Sequence, residues 1–183
     1  NLIKLVYIII EHMATFKFDF IVVGSGAAGL LTAHKLAKAG RVAVITKRSP
    51  EISNSGLAQG GIAAVTAAND NFNLHIADTL RTGAGLSDPR VVKLVISEAP
   101  ARIRELVDLG TRFSLKNGTF DLALEGGHSR RRVLHAADAT GHEIERALLE
   151  TCKSDRNITF FPYYSAVDLI LKSRPARVRP GKN

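Results

Sequence analysis

The run Gly24-Ser25-Gly26-Ala27-Ala28-Gly29 has the spacing needed to hold a pyrophosphate against the main chain. Gly24 permits a tight turn, Gly26 lets the backbone approach a phosphate, and Gly29 lets the following helix pack close to the preceding strand. A helix opening at Ala27 would then present free N–H groups and a partial positive charge. This motif points to a dinucleotide and does not choose between FAD and NAD. A second stretch, Ser53-Asn54-Ser55-Gly56-Leu57-Ala58-Gln59-Gly60-Gly61, gathers small residues around one polar amide. Its exposed backbone N–H groups suit a planar heterocycle with a negatively charged edge. A third, Glu125-Gly126-Gly127-His128-Ser129-Arg130-Arg131-Arg132, joins a flexible Gly-Gly hinge to a carboxylate and several cations, the composition of a site for a small charged substrate.

Competing chemistries are weaker. Dinucleotide folds usually carry an acid at the end of the second strand to hold a ribose, and Thr46-Lys47 stands there instead. Lys47 could attract a phosphate, which leaves NADP open on this fingerprint alone. Arg130, Arg131 and Arg132 read as a solvated basic turn rather than as ligands of a dicarboxylate. His135, Asp138 and His142 could share a helical face and hold a metal, but Gly141 interrupts the helix and no further ligand is evident, so no metal site is expected. Ser129 and Asp138 with a histidine supply the ingredients of a hydrolytic triad without the G-x-S-x-G elbow that would expose the serine. The single Cys152 excludes an intrachain disulfide and any multi-cysteine cluster, and reads as a small buried residue on a helix.

The elements that would position these groups are those of an α/β protein. Residues 19–23 form a short Ile/Val-rich strand, 27–39 a helix stopped by Gly40, and 42–45 a second strand, which together make a β-α-β unit. Pro89 opens a helix with an apolar stripe of Val91, Val92, Val95 and Ile96, which Pro100 is expected to break. A separate helix over 101–109 ends at Gly110. Asn117-Gly118 marks a hairpin turn. A last helix over 143–153 precedes strand-like segments at 158–161 and 165–171.

At 183 residues with 45% hydrophobic content, the chain can build one sizeable core. Its net charge of +8 owes much to Lys172, Arg174, Arg177, Arg179 and Lys182 near the end, with no aromatic residues between them. Residues 172–183 therefore read as a basic, solvated tail, and no nucleic-acid partner is expected. The apolar run over 2–10 is shorter than the about 20 residues that span a bilayer, so no membrane partner is expected. Residues 1–12 read as an upstream extension before Met13.

These blocks resemble the flavoproteins of the succinate dehydrogenase and fumarate reductase superfamily, whose flavin-contacting loop shares the Ala58-Gln59-Gly60-Gly61-Ile62 pattern. Residues 125–141, with paired arginines and His135-Ala136-Ala137-Asp138, are similar to the L-aspartate oxidase family within it. The resemblance runs from about residue 18 to 171. It implies a Rossmann-like FAD-binding domain with a parallel sheet, of which 13–171 is the N-terminal portion, with a capping domain only begun. It also implies that Gly24 to Gly29, Lys47 and the residues Asn54, Ser55, Gly56, Leu57, Ala58, Gln59, Gly60 and Gly61 contact FAD. Asn54 stands where membrane-bound relatives carry the histidine that attaches FAD covalently, so non-covalent FAD is expected. Glu125 is placed in the substrate pocket, where its carboxylate could pair with an ammonium group. The catalytic arginine and histidines of the family fall further downstream, so no catalytic residue is expected in this chain. The implied reaction is oxidation of L-aspartate to iminoaspartate in the cytoplasm with oxygen or fumarate as acceptor, on the route to NAD, with a quinolinate synthase as the pathway partner. A soluble fumarate reductase and a catalytically inert FAD-binding fragment are the alternatives.

Overall fold

The computed structural model describes residues 6–10 and 14–170; Met13 and the basic stretch over 172–183 lie outside the described residues. The chain enters through an antiparallel pair, β1 (Val6–Ile10) and β2 (Ala14–Phe18). Then comes the expected β-α-β unit: β3 (Phe20–Val23), α1 (Ala27–Ala37) and β4 (Val42–Thr46). All five residues of β4 are buried, which is why its sequence is apolar without alternation.

Between β4 and the last strand the chain makes a long excursion. It comprises β5 (Ile62–Ala63), α2 (Phe72–Thr82), α3 (Pro89–Asp108), β6 (Leu115–Lys116), β7 (Thr119–Phe120), β8 (Leu122–Ala123) and β9 (Val133–Leu134). Helix α4 (Thr140–Ser154) and strand β10 (Ile158–Pro162) then return to the parallel sheet, whose order is β10-β4-β3. The short strands β5, β9 and β8 form a separate antiparallel sheet. Asn117 and Gly118, both at positive φ (53° and 80°), make the two-residue turn between β6 and β7.

One core lies between the parallel sheet and the helices. Leu30, Ala33 and Ala37 of α1 meet Val22, Val42 and Val44, and Leu148, Leu149 and Cys152 of α4 close over them with Ile103 and Leu106 of α3. Cys152 is fully buried, its thiol donates to the Leu30 carbonyl, and burial pushes its pKa up to about 11. The other face of the sheet is covered by Phe18 with Ala43, Ile45 and Phe161, and Phe16, Phe18 and Tyr164 meet the Phe161 ring edge to face.

Three expectations are corrected. Pro100 does not break the helix: α3 runs through it for 20 residues. Ile96 before the proline and Ile103 and Leu106 after it are all buried, so one apolar stripe continues across it and outweighs the lost backbone hydrogen bond. Val91 and Val95, expected in that stripe, are exposed, and Val92 and Ile96 carry the buried face. Residues 165–170 are not a strand. Val167, Leu169 and Ile170 are exposed, with no sheet partner to fix them.

Candidate functional site

At the turn after β3, Gly24 has φ +108° and its N–H donates to the Ile45 carbonyl at 2.8 Å. Ser25 is buried and its Oγ donates to Thr46 Oγ1 at 3.1 Å, which ties the glycine turn to the end of β4. A Cβ on Gly29 would collide with the Gly24 carbonyl oxygen, so the helix can pack on the turn only because position 29 has no side chain. No side chain caps α1 from Gly26 and its first turn carries no acid. Ala27 N–H donates to Ser55 Oγ at 3.2 Å, and a Cβ on Gly26 would sit 3.2 Å from the same oxygen. The start of α1 and the loop over 53–61 thus face each other across a strip of backbone. A first helical turn without an acid or an N-cap side chain, and no side chain at position 26, fit a pyrophosphate.

The 53–61 loop is propped on the N-terminus of α4. Gly141 N–H donates to the Ala58 carbonyl at 2.9 Å, and Thr140 Oγ1 donates to the Gly60 carbonyl at 3.2 Å. A Cβ on Gly141 would overlap the Ser55 carbonyl oxygen, so this glycine lets loop and helix touch rather than interrupting the helix, which begins at Thr140. Under the loop lies Glu145, a residue sequence reasoning missed. It is 3% exposed, abuts Gly56 and has no hydrogen-bond partner for Oε1. Burial raises its pKa, with the Ser53 hydroxyl, His142 and the Gly56 N–H opposing. Lys47, Asn54, Leu57, Ala58, Gln59, Gly60 and Gly61 are exposed, while Ser55 and Gly56 are half-buried.

Glu125 is exposed on the loop between β8 and β9, and a Cβ on Gly60 would lie 3.8 Å from both of its carboxylate oxygens. The fold therefore brings Glu125 to the edge of the 53–61 loop, a pairing invisible in the sequence because 65 residues separate Gly60 from Glu125.

The basic turn proves mixed. Arg130 and Arg131 are exposed, but Arg132, expected to be solvated, is completely buried. Its Nε and Nη2 donate to the two Asp70 carboxylate oxygens at 2.7 and 2.8 Å, and its Nη1 donates to Asp78 Oδ2 at 2.7 Å. Hydrogen bonds from Arg132 hold the Asp70 carboxyl below the usual range. Burial acts to raise Asp78, but donors from Ser129, Arg132 and Arg81 hold it well below that range. His128 Nδ1 lies 3.2 Å from Arg132 Nη1 and its ring meets His75 edge to face. Burial, with the nearby Arg132 charge, depresses the pKa of His75. Ser129 Oγ donates to Asp78, so the serine is tied into this cluster. His135 Nε2 lies 3.8 Å from Asp121 Oδ2. Among the described residues no group of three or more His, Cys, Asp and Glu side chains could hold a metal ion.

The FAD binding domain family matches residues 19–180. Among curated proteins, L-aspartate oxidase 2-b, chloroplastic, of Nicotiana tabacum is 51% identical over 87% of this chain and 25% of its own length. The L-aspartate oxidase of Nostoc sp. is 46% identical over 85% of this chain and 27% of its own. The chain spans about a quarter of the length of the curated relatives it matches. Among solved structures, a quinol-fumarate reductase with menaquinol superposes with a TM-score of 0.78 at 29% identity, over 85% of this chain and 28% of that one. The Mycobacterium smegmatis Sdh1 complex superposes with a TM-score of 0.73 at 33% identity, over 80% and 27%.

Proposed function

Since this chain belongs to the FAD binding domain family, we propose that it is the FAD-holding part of an L-aspartate oxidase, an enzyme that converts L-aspartate to iminoaspartate. The observation that carries this reading is a single juxtaposition. The start of α1 after Gly26 is joined to the loop by the bond from Ala27 N–H to Ser55 Oγ, and Glu125 lies over Gly60 at the other end of the same loop. A long cofactor laid along this strip would have its pyrophosphate at Gly24, Ser25, Gly26, Ala27, Ala28 and Gly29. Its flavin would lie along 54–61, with Lys47 beside the path. When bound, FAD would supply the two-electron acceptor for oxidation at the substrate Cα.

The chain's own groups bind and orient. Backbone N–H groups at the start of α1 offset the phosphate charge, and the small residues of 54–61 let the ring lie against main chain. Asn54, an exposed amide, forms no covalent link to a flavin, so FAD is held non-covalently. The Glu125 carboxylate beside Gly60 would pair with the ammonium of aspartate. Fumarate is the second small-molecule partner, and a quinolinate synthase consumes the product. No described helix is long and apolar enough to cross a membrane, and we place the protein in the cytoplasm; the plant relatives are named as chloroplastic. A soluble fumarate reductase is the second reading, favoured by the superposition on a quinol-fumarate reductase. It leaves the carboxylate of Glu125 without a cationic partner.

The test is the visible spectrum of the purified chain after incubation with FAD and desalting, then acid precipitation. Flavin that stays with the protein and is released by acid is the expected result. Flavin that remains in the pellet would overturn non-covalent binding, and no retained flavin would overturn the site itself. Perturbation of the bound flavin spectrum by L-aspartate is expected of the oxidase, which also takes fumarate; a response to fumarate with none to L-aspartate would favour the reductase.

A further inference from the structure

The loop that carries Glu125 is fastened to a helix far from it in sequence. It leaves β8 after Ala123 and joins β9 at Val133, with its neck closed by the Arg132 N–H donating to the Ala123 carbonyl at 3.2 Å. Inside that neck Gly126 has open space around it and Gly127 sits at φ +84°, so the backbone next to Glu125 has little to stiffen it from within. The stiffness comes from α2. Asp78, almost wholly buried, accepts from both the N–H and the Oγ–H of Ser129 at 2.7 Å, and from Arg132 at 2.7 Å, all on Oδ2. Its Oδ1 accepts from Arg81 at 2.7 Å, and the same Arg81 nitrogen reaches the Gly127 carbonyl at 3.3 Å. A turn in which His128 N–H donates to the Glu125 carbonyl links that anchor to the acid. Asp70 holds the far side of Arg132 and completes the clamp.

We propose that Asp78 is a positioning residue for Glu125: by gripping Ser129 and Arg132 it holds the 125–129 loop so that the Glu125 carboxylate stays over Gly60, where it can receive a substrate ammonium group. This rests on the reading of Glu125 given above. A buried carboxylate with four donors is a rigid anchor, and a carboxylate held in place before binding loses less freedom when its cation arrives. Asp78 touches neither ligand, so its effect should fall on recognition of the ammonium and not on flavin binding.

The experiment uses the FAD-loaded chain, with Asp78→Asn, Ser129→Ala, Glu125→Gln and the Asp78→Asn/Glu125→Gln double variant. Ser129→Ala removes one of the two loop bonds without disturbing Arg132, and stands in if Asp78→Asn fails to fold. Three readouts are taken: FAD affinity, amide hydrogen exchange over 125–131, and dissociation constants of L-aspartate and of succinate, which lacks the ammonium, from the flavin absorbance. Expected are faster exchange in the loop, FAD affinity within about twofold of the wild type, and loss of about tenfold or more in aspartate affinity with a much smaller loss for succinate. In the Glu125→Gln background, Asp78→Asn should cause no further loss of preference for aspartate. Unchanged exchange, equal losses for the two ligands, or an undiminished effect in the Glu125→Gln background would each overturn the proposal. If the wild type does not prefer aspartate and Glu125→Gln changes nothing, the reading of Glu125 fails and the proposal with it; the exchange data then still report whether Asp78 holds the loop.

Discussion

Arg132 carries a full charge in the interior, and its worth to the protein lies in what it neutralises. Asp70 and Asp78 are buried beside it, so removing the guanidinium leaves two carboxylates without water and without a cation. Arg132→Leu should therefore destabilise the fold by about 3–5 kcal/mol, read from the urea midpoint, while Arg131→Leu next to it, on an exposed side chain, changes it by less than about 0.5 kcal/mol. Equal effects at the two positions would show that burial at 132 is not what matters. The same contrast shows what a sequence displays at this scale. Gly24 and Gly29 were legible because their constraint is local: a positive φ and a close approach within five residues. Arg132 was not, because its partners lie 62 and 54 residues earlier in the chain, and three successive arginines look alike until one is turned inward. Glu145 escaped notice for the same reason, as an acid on a helix whose neighbours come from a distant loop.

Helices α3 and α4 show local rules yielding to packing. Pro100 has strong grounds to end a helix, yet Ile96 and Ile103 both face the core and their burial holds the two halves in one rod. The proline still costs a hydrogen bond, so Pro100→Ala should raise stability by about 2 kcal/mol, after allowing for the looser unfolded chain. A fall in the thermal midpoint would mean that the ring itself fills space in the core. On α4, Glu145 lies under the 53–61 loop with its pKa raised by burial. A carboxyl whose folded pKa lies above its unfolded value favours folding below the unfolded value, and that advantage is lost as pH rises through the folded one. Glu145→Gln removes the titration, so its urea midpoint should gain on the wild type from about pH 4 upward and then run parallel once both folded and unfolded carboxyls have ionised. Curves that stay parallel throughout would show that folding leaves the Glu145 pKa where it stands in the unfolded chain.

At the scale of the molecule, the parallel sheet with α1 and α4 forms one layer system, and the excursion carrying α2, α3 and the β5-β9-β8 sheet is the other part. The sequence displayed the first part almost in full, because a strand, a glycine turn and a helix follow one another within thirty residues. It displayed little of the second, whose two-residue strands are too short to show a period and are defined only by their pairing, β8 with β9 across the loop of Glu125 and β5 with β9 from far earlier in the chain. The 53–61 loop is bonded to α1 through Ser55 and to α4 through Ala58 and Gly60 in the first part, and it meets the second part where Gly61 packs against Val133 and Leu134 and Gly60 lies beside Glu125. A cofactor that binds along this loop must therefore couple them. At FAD concentrations about 100-fold above its dissociation constant, binding should stabilise the native state by about 2.7 kcal/mol and slow amide exchange at 24–29 and 54–61 together. NADP at the same concentration should do neither if the flavin loop, and not Lys47 alone, selects the ligand. Gly29→Ala, whose Cβ would meet the Gly24 carbonyl oxygen, should abolish both effects at once, because misplacing α1 withdraws its N–H groups from the phosphates. Protection confined to 24–29, with 54–61 exchanging as before, would instead mean that the loop does not take part in binding and that the bond from Ala27 to Ser55 is structural.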